Sequence, residues 1–365
     1  MSWSDIMKRN YGIDLLRMLL MLMVLILHVL GAGGILGTAT PLSGNYNTAW
    51  LLETLSYCAV DCYVIITGYV HMGSRYRLSS CVLLWLQVLT YSLGIAACLW
   101  LIKPETFSAR NLVYFLTPVS HNLFWFFSAY TGLYVLIPFL NRAVLGLSEK
   151  QSVQFLLPAV TVLTLVSIFS YVDPFALKNG YSVIWFVVLY LIGACIRQHQ
   201  WTQKITTGKA ILIYFLCVLF SWGEKLFRDW RIIQDGGTAS PAGIFISYVS
   251  PTILIAAITL FYIFCNLRLN DTVCRLVKIF SPAAFGVYLI HCHECVNAQL
   301  ISNKYVPLAQ WNTLSMVGGV LGFALAIFVV CLLIDWVRGR VFALLKVKQR
   351  LEGIEQKIIA KHSRL

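Results

Sequence analysis

Apolar residues along this chain fall in unbroken runs of roughly 20, the length that crosses a bilayer as a helix. Ten runs can be bounded, at about residues 11–32, 50–72, 80–102, 122–140, 153–172, 181–197, 209–223, 243–265, 280–301 and 313–337. Strands of a membrane barrel would alternate apolar with polar positions, and these runs do not. The pattern predicts an all-α, polytopic integral-membrane protein of about ten transmembrane helices. The run at 209–223 is the shortest, and residues 107–118 are too short to span, so they predict an interfacial helix.

The first run carries polar groups that a lipid-facing helix should not have: Asp14, Arg17 and His28. Arg17 and His28 are eleven residues apart, about three turns, so both project from one face roughly 16 Å apart along the axis. Asp14 precedes Arg17 by three residues and can reach it as an ion pair. A charge at the centre of the hydrocarbon costs on the order of 2.5–3.5 kcal/mol even on the mildest scale. Alone, the arginine could snorkel to headgroups and the histidine could sit at the interface. Together on one face they predict the wall of an interior cavity.

Composition and charge sharpen this picture. Of 365 residues, 59% are apolar and 12% charged, which excludes a water-soluble fold. The net charge of +13 is not a nucleic-acid signature, because Lys and Arg gather in alternate loops. With the N-terminus inside, the inner segments hold Lys8, Arg9, Arg75, Arg77, Arg142, Lys150, Arg197, Lys204, Lys209, Arg268, Arg275, Lys278 and eight more after Asp335. The outer loops hold seven, so both termini are predicted to be cytoplasmic. The first run is too long and too polar for a signal peptide and is read as an uncleaved span. The chain divides into a membrane domain, 1–340, and a basic cytoplasmic tail, 341–365. The tail predicts an amphipathic helix from Val341 to Ile359, suited to an anionic leaflet. The uncharged outer loop 33–49 reads as a flexible or re-entrant lid, and the sign-balanced loop 224–242 as a solvated segment or a contact for a sugar or headgroup.

Further polar residues lie at membrane depth or its edge. Asp61 has no neighbouring cation, so it either belongs to the cavity, orienting His28 or Arg17, or makes an interhelical hydrogen bond. His121 and Trp125 sit at the outer boundary, where they can meet a substrate or serve as interfacial anchors. His291 is expected to face the cavity, with Glu294 sharing its face. His291 and Cys295 are an i, i+4 pair, but the intervening residues point in different directions and no second ligand pair completes a site, so no metal is expected. Most of the eleven cysteines lie within apolar runs as small hydrophobes, and no disulfide follows from their spacing. No phosphate-cradling loop, nucleophile elbow or zinc-protease motif occurs.

Five strings, in order, give the chain a family likeness. They are Asn10-Tyr-Gly-Ile-Asp-Leu-Leu-Arg17 with His28, Val60 to Tyr69, Phe124 to Asn141, Trp185 to Arg197, and Phe285-Gly-Val-Tyr-Leu-Ile-His291. The chain resembles the acyltransferase 3 family of bacterial membrane proteins, which acylate cell-surface carbohydrates and other envelope molecules. The resemblance implies helices around a central cavity, with Arg17 and His28 as essential residues. It further implies acetyl-coenzyme A or another acyl-coenzyme A as a donor substrate reached from the cytoplasm, with no permanently bound cofactor. Thr67 stands where the family more often has Ser. No fused extracytoplasmic esterase-like domain follows, so any transfer is expected to be finished by the membrane part or by a separate extracytoplasmic partner. The expected activity is O-acetylation of an envelope glycan or lipid-linked precursor in the bacterial cytoplasmic membrane. His28 and Arg17 would be catalytic, with Asp14, Asp61, His291, Glu294, His121 and Trp125 around the substrate. The membrane half of a serine racemase linked to glycopeptide resistance looks similar, which leaves transport or binding of a small solute such as an amino acid as the alternative.

Overall fold

A computed structural model describes residues 9–362 apart from Arg75 and Phe107, with only the backbone of 361 and 362. Of the inner cations counted above, Lys8, Arg75, the Lys361 side chain and Arg364 lie outside the described residues. The first helices are α1 (Tyr11–Leu30), α2 (Ile35–Thr38), α3 (Gly44–Tyr57), α4 (Ala59–His71) and α5 (Leu78–Ile102). Then come α6 (Ala109–Leu116), α7 (Trp125–Leu145), α8 (Glu149–Phe169), α9 (Val183–Gln198), α10 (Thr207–Gln234) and α11 (Pro251–Cys265). The chain continues with α12 (Asp271–Phe280), α13 (Ala284–His291), α14 (Glu294–Leu300), α15 (Thr313–Leu344) and α16 (Val347–His362). No strand occurs among the described residues.

Seven helices among the described residues are long and apolar enough to cross a membrane, counting α1–α2, α3–α4 and α12–α13 each as one continuous unit. The protein is therefore an all-α, multi-pass membrane protein. The remaining predicted spans are helical as α7 and the shorter apolar α9 and α11, although the span expected from 243 becomes helical only at Pro251.

The bundle is built around α1. Its start is fixed by Asn10, whose Oδ1 accepts from the Gly12 and Ile13 amides while its Nδ2 donates to the Cys265 carbonyl at 2.8 Å. A Cβ on Gly12 would stand 2.1 Å from the Phe264 carbonyl oxygen, so only glycine lets α1 meet the end of α11. From there α1 packs against α3, α4, α11, α12, α13 and α15. In its most apolar stretch 61% of residues are buried, against 11% for α8, which turns its side chains outward. A second close crossing joins α4 to α9, where Gly68 lies against the Tyr190 carbonyl and Gly193 against that of Ile65.

Several sequence expectations change. The seventh span is not the shortest: α10 runs for 28 residues, because Lys225 and Asp229 are buried rather than solvated. They pair with each other, and Lys225 also donates to the Tyr46 hydroxyl and the Ser240 carbonyl, each at 2.9 Å. An ion pair satisfied on every side can continue a helix through a stretch that reads as loop. Residues 33–49 are not a free lid. The Asn303 and Tyr305 amides donate to Ala32 and Gly33, and Asn45 donates to the Ala309 and Trp311 carbonyls. The ninth span starts and ends about ten residues before its expected limits, as α12 and α13 joined through the Ser281–Ala283 turn, and stops where Cys292 and His293 break the helix. The tail is two pieces, since α15 continues to Leu344 and α16 follows a left-handed Lys346. Beyond any leaflet contact, α16 docks on the start of α5: Glu355 accepts from the Leu78 amide at 2.6 Å and the Ser79 hydroxyl at 2.5 Å.

Candidate active site

One turn into α1, Asp14 is buried between two cations. Its Oδ2 lies 2.5 Å from Arg9 Nε and its Oδ1 2.9 Å from Arg17 Nη1. Arg9 reaches further, to the Ser281 hydroxyl at 3.1 Å, tying α1 to the turn between α12 and α13. Held from one side by Asp14, Arg17 borders a cavity of about 210 Å³ with Tyr63, Thr67, His71, Tyr130 and Phe285.

Three turns on, His28 meets His291 of α13. His28 Nδ1 and His291 Nε2 are 3.1 Å apart, and His291 Nδ1 is 2.6 Å from the Val287 carbonyl oxygen. A carbonyl can only accept, so the Nδ1 of His291 carries a proton. With neutral rings, its Nε2 is then the acceptor, and the shared hydrogen belongs to His28 Nδ1. The chain of bonds thus assigns both tautomers. It leaves His28 Nε2 as a lone pair with no partner among the described residues.

His28 borders a second cavity, of about 150 Å³, with Glu53, Tyr57, Trp125, Tyr181, Tyr248 and Tyr288 among its lining. The wall is aromatic, and Glu53 is its carboxylate. Glu53 Oε2 is buried without a hydrogen-bond partner. Such an atom is costly unless a bound molecule supplies a donor. Tyr63 and Phe126 line this cavity and the Arg17 cavity alike, with ring centres 6.1 Å apart and nearly perpendicular planes. The single shared pocket expected for Arg17 and His28 is therefore two adjoining chambers with an aromatic partition.

The other expected site residues divide. Trp125 lines the His28 cavity. Asp61 is fully buried but accepts from the Trp185 indole at 3.1 Å and borders neither cavity, which is an interhelical contact rather than a hold on His28 or Arg17. His121 lies in a surface turn against the Thr117 hydroxyl. Glu294 does not share the face of His291. The helix break at Cys292–His293 restarts the chain as α14, and Glu294 is exposed, accepting from the Tyr114 hydroxyl at 3.1 Å. Glu53 and the tyrosines were not singled out in the sequence, although an acid inside the second run is subject to the same cost as Arg17.

Cys292 brings its sulfur to 3.3 Å from His291 Nε2 and 3.8 Å from His28 Nδ1. These three ligand atoms lie within 4.8 Å of one another, so they could hold one metal ion. Ligation would consume the hydrogen bond between the rings and make His28 a ligand instead of a base, so the two arrangements exclude each other.

The family model for acyltransferase 3, described as an acyltransferase domain, matches residues 10–336. The chain belongs to the acyltransferase 3 family. It is thus a membrane acyltransferase, and the match covers both cavities and every helix that lines them. Comparison with curated proteins and with solved structures gave no match.

Proposed function

We propose that this acyltransferase moves an acetyl group from acetyl-coenzyme A to a hydroxyl of a cell-envelope glycan or its lipid-linked precursor. The observation that carries the reading is the bond sequence from the Val287 carbonyl through His291 to His28. It is the arrangement a general base needs, with one nitrogen oriented from behind and the other free toward a cavity. In the reaction, His28 Nε2 takes the proton of the acceptor hydroxyl as its oxygen attacks the thioester carbonyl. The carbon–sulfur bond breaks, and the leaving thiolate recovers that proton from the His28 imidazolium. His291 Nε2, accepting from His28 Nδ1–H, supports the cation while it exists. Positioned acid–base catalysis of this kind supplies about 10²–10⁴-fold in rate.

Arg17 borders the first chamber, on the donor's side of the partition, where its guanidinium offers charge-assisted hydrogen bonds to the donor. Asp14 keeps it in place. In the second chamber the aromatic walls suit the apolar faces of a sugar ring, and Glu53 accepts from a hydroxyl of the acceptor. With the N-terminus cytoplasmic, the donor enters at the Arg17 end and the acceptor at the His28 end.

The test uses purified full-length protein in nanodiscs with radiolabelled acetyl-coenzyme A and an envelope extract as acceptor. Labelled product and free coenzyme A are expected, with both lost in His28→Ala. Retention of both in His28→Ala defeats the assignment of the base. Uptake of a solute without any coenzyme A release would replace acyl transfer with transport.

A further inference from the structure

Beside the Arg17 cavity, on the other side of the Ser281–Ala283 turn, lies an open groove of about 550 Å³ between α12 and α15. Its rim carries Arg275 and Lys278 from α12 and Arg338 and Arg340 from α15. The groove has one acid, Asp335, and that carboxylate is already taken. It is buried and accepts from Arg338 Nε at 2.6 Å and Nη2 at 3.0 Å, with Tyr91 and Gln87 completing its shell. Arg275, Lys278 and Arg340 have no carboxylate partner among the described residues. Arg340 lies over the Trp336 ring, 4.9 Å from its centre. A guanidinium in contact with a ring in this way keeps N–H donors available for phosphate.

Three cations without a carboxylate partner, Arg275, Lys278 and Arg340, converge from two helices on one groove and make a site for phosphate groups. Two sources could supply them, a nucleotide or an anionic lipid headgroup. Position favours the nucleotide, because Pro282 borders both this groove and the Arg17 cavity. A ligand with phosphates in the groove can pass a narrow arm across Pro282 toward Arg17 and the aromatic partition beyond. We infer that the groove holds the phosphates of the donor's nucleotide while its thioester arm extends into the Arg17 cavity. This rests on the acyl-transfer reading above.

Two measurements on the full-length protein in phosphatidylcholine nanodiscs separate the outcomes. In the first, equilibrium dialysis with radiolabelled coenzyme A needs no acceptor and no turnover. The exposed-residue variants Lys278→Glu and Arg340→Glu are each expected to weaken binding about 10-fold, as loss of a charge-assisted phosphate contact implies. Lys278→Arg should restore it. In the second, KM is compared for acetyl-coenzyme A and for acetyl-pantetheine, which lacks the nucleotide. The reversals should raise KM for the former by a similar factor and leave kcat, and both constants for acetyl-pantetheine, within about twofold. Equal effects on both donors, unchanged coenzyme A binding, or a loss that appears only when phosphatidylglycerol is included would overturn the inference. Coenzyme A binding that responds to the reversals without any turnover would instead discard acyl transfer and keep the phosphate site.

Discussion

Arg17 and His28 stand on the same face of one helix, yet they open into different cavities, with Tyr63 and Phe126 between them. A donor and an acceptor arriving from opposite ends can thus be kept apart until the acyl group passes the partition.

His291 is a positioning residue, acting on substrate only through His28. His291→Ala leaves the His28 ring free to rotate and to take the wrong tautomer. We expect kcat to fall about 10–100-fold with KM for the donor little changed, as for other groups that orient a reacting imidazole. Asn or Gln at this position can still offer an oxygen to His28 Nδ1–H and should restore part of the loss. Equal loss in all three variants, accompanied by a lowered melting temperature, would mean that His291 merely fills the core.

The exclusive choice between a base and a metal ligand is decided by Cys292. In the hydrogen-bonded arrangement its thiol is a bystander. Cys292→Ala should keep acyl transfer within about threefold, and dialysis against a zinc chelator should leave activity in place. Loss of activity on chelation, with recovery on added zinc, would reassign His28 as a ligand and remove it from proton transfer.

How much of this the sequence carried depends on the residue. Arg17 and His28 were legible because a helix repeats and hydrocarbon penalises charge, which together place both on one interior face. That His28 meets His291 was not, since the two are 263 residues apart and their register depends on close approaches such as Gly12 to the Phe264 carbonyl. The split into two chambers depends on where the Tyr63 and Phe126 rings point, which periodicity does not encode. Loop 224–242 misled because charges in sequence are counted as solvated, whereas Lys225 and Asp229 satisfy each other inside the fold. Glu294 failed for a local reason, a helix that stops at His291.

The α4–α9 crossing gives a stability prediction. A methyl group on Gly193 would stand 2.1 Å from the Ile65 carbonyl oxygen, and one on Gly68 equally close to that of Tyr190. Neither obstacle is a flexible side-chain end, so the helices must separate. Each alanine variant should cost about 1–3 kcal/mol. Because both strike the same interface, the double variant should lose less than the sum. Thermal unfolding in detergent, followed by circular dichroism, reads this directly. Full additivity would show that the two contacts are independent.

Docking of α16 should depend on pH. The Ser79 hydroxyl, with the Leu78 amide beside it, holds the Glu355 carboxyl below the usual glutamate value. A carboxyl depressed in the docked state stabilises that state above its undocked pKa and loses the contribution as pH falls through the docked one. The undocked value is about 4.3, so the contact is complete at neutral pH and fails in mild acid below it. The protection of amides 350–360, corrected for the slower intrinsic exchange in acid, should therefore fall on acidification, and Glu355→Gln should show the lower protection already at pH 7. Exchange in Glu355→Gln that matches the unmutated protein at neutral pH would mean that packing, not this carboxylate, holds α16 down.

Phe126 offers a prediction about the acyl group itself. Its ring lines both chambers, while its amide donates to the Tyr288 hydroxyl at 3.2 Å and would be kept by any side-chain substitution. Phe126→Ala removes one of the two rings of the partition without removing the donor of that bond. If the acyl group crosses here, the width of the gap sets how long a chain can pass. Alanine should then raise kcat/KM for butyryl- over acetyl-coenzyme A by about 10-fold or more, since each added methylene in an apolar slot is worth about 1–3 kcal/mol. The same opening lets water reach the thioester, so hydrolysis without acceptor should rise in step. An unchanged chain-length preference, with hydrolysis also unchanged, would place the acyl path elsewhere and leave the ring a packing element of the core.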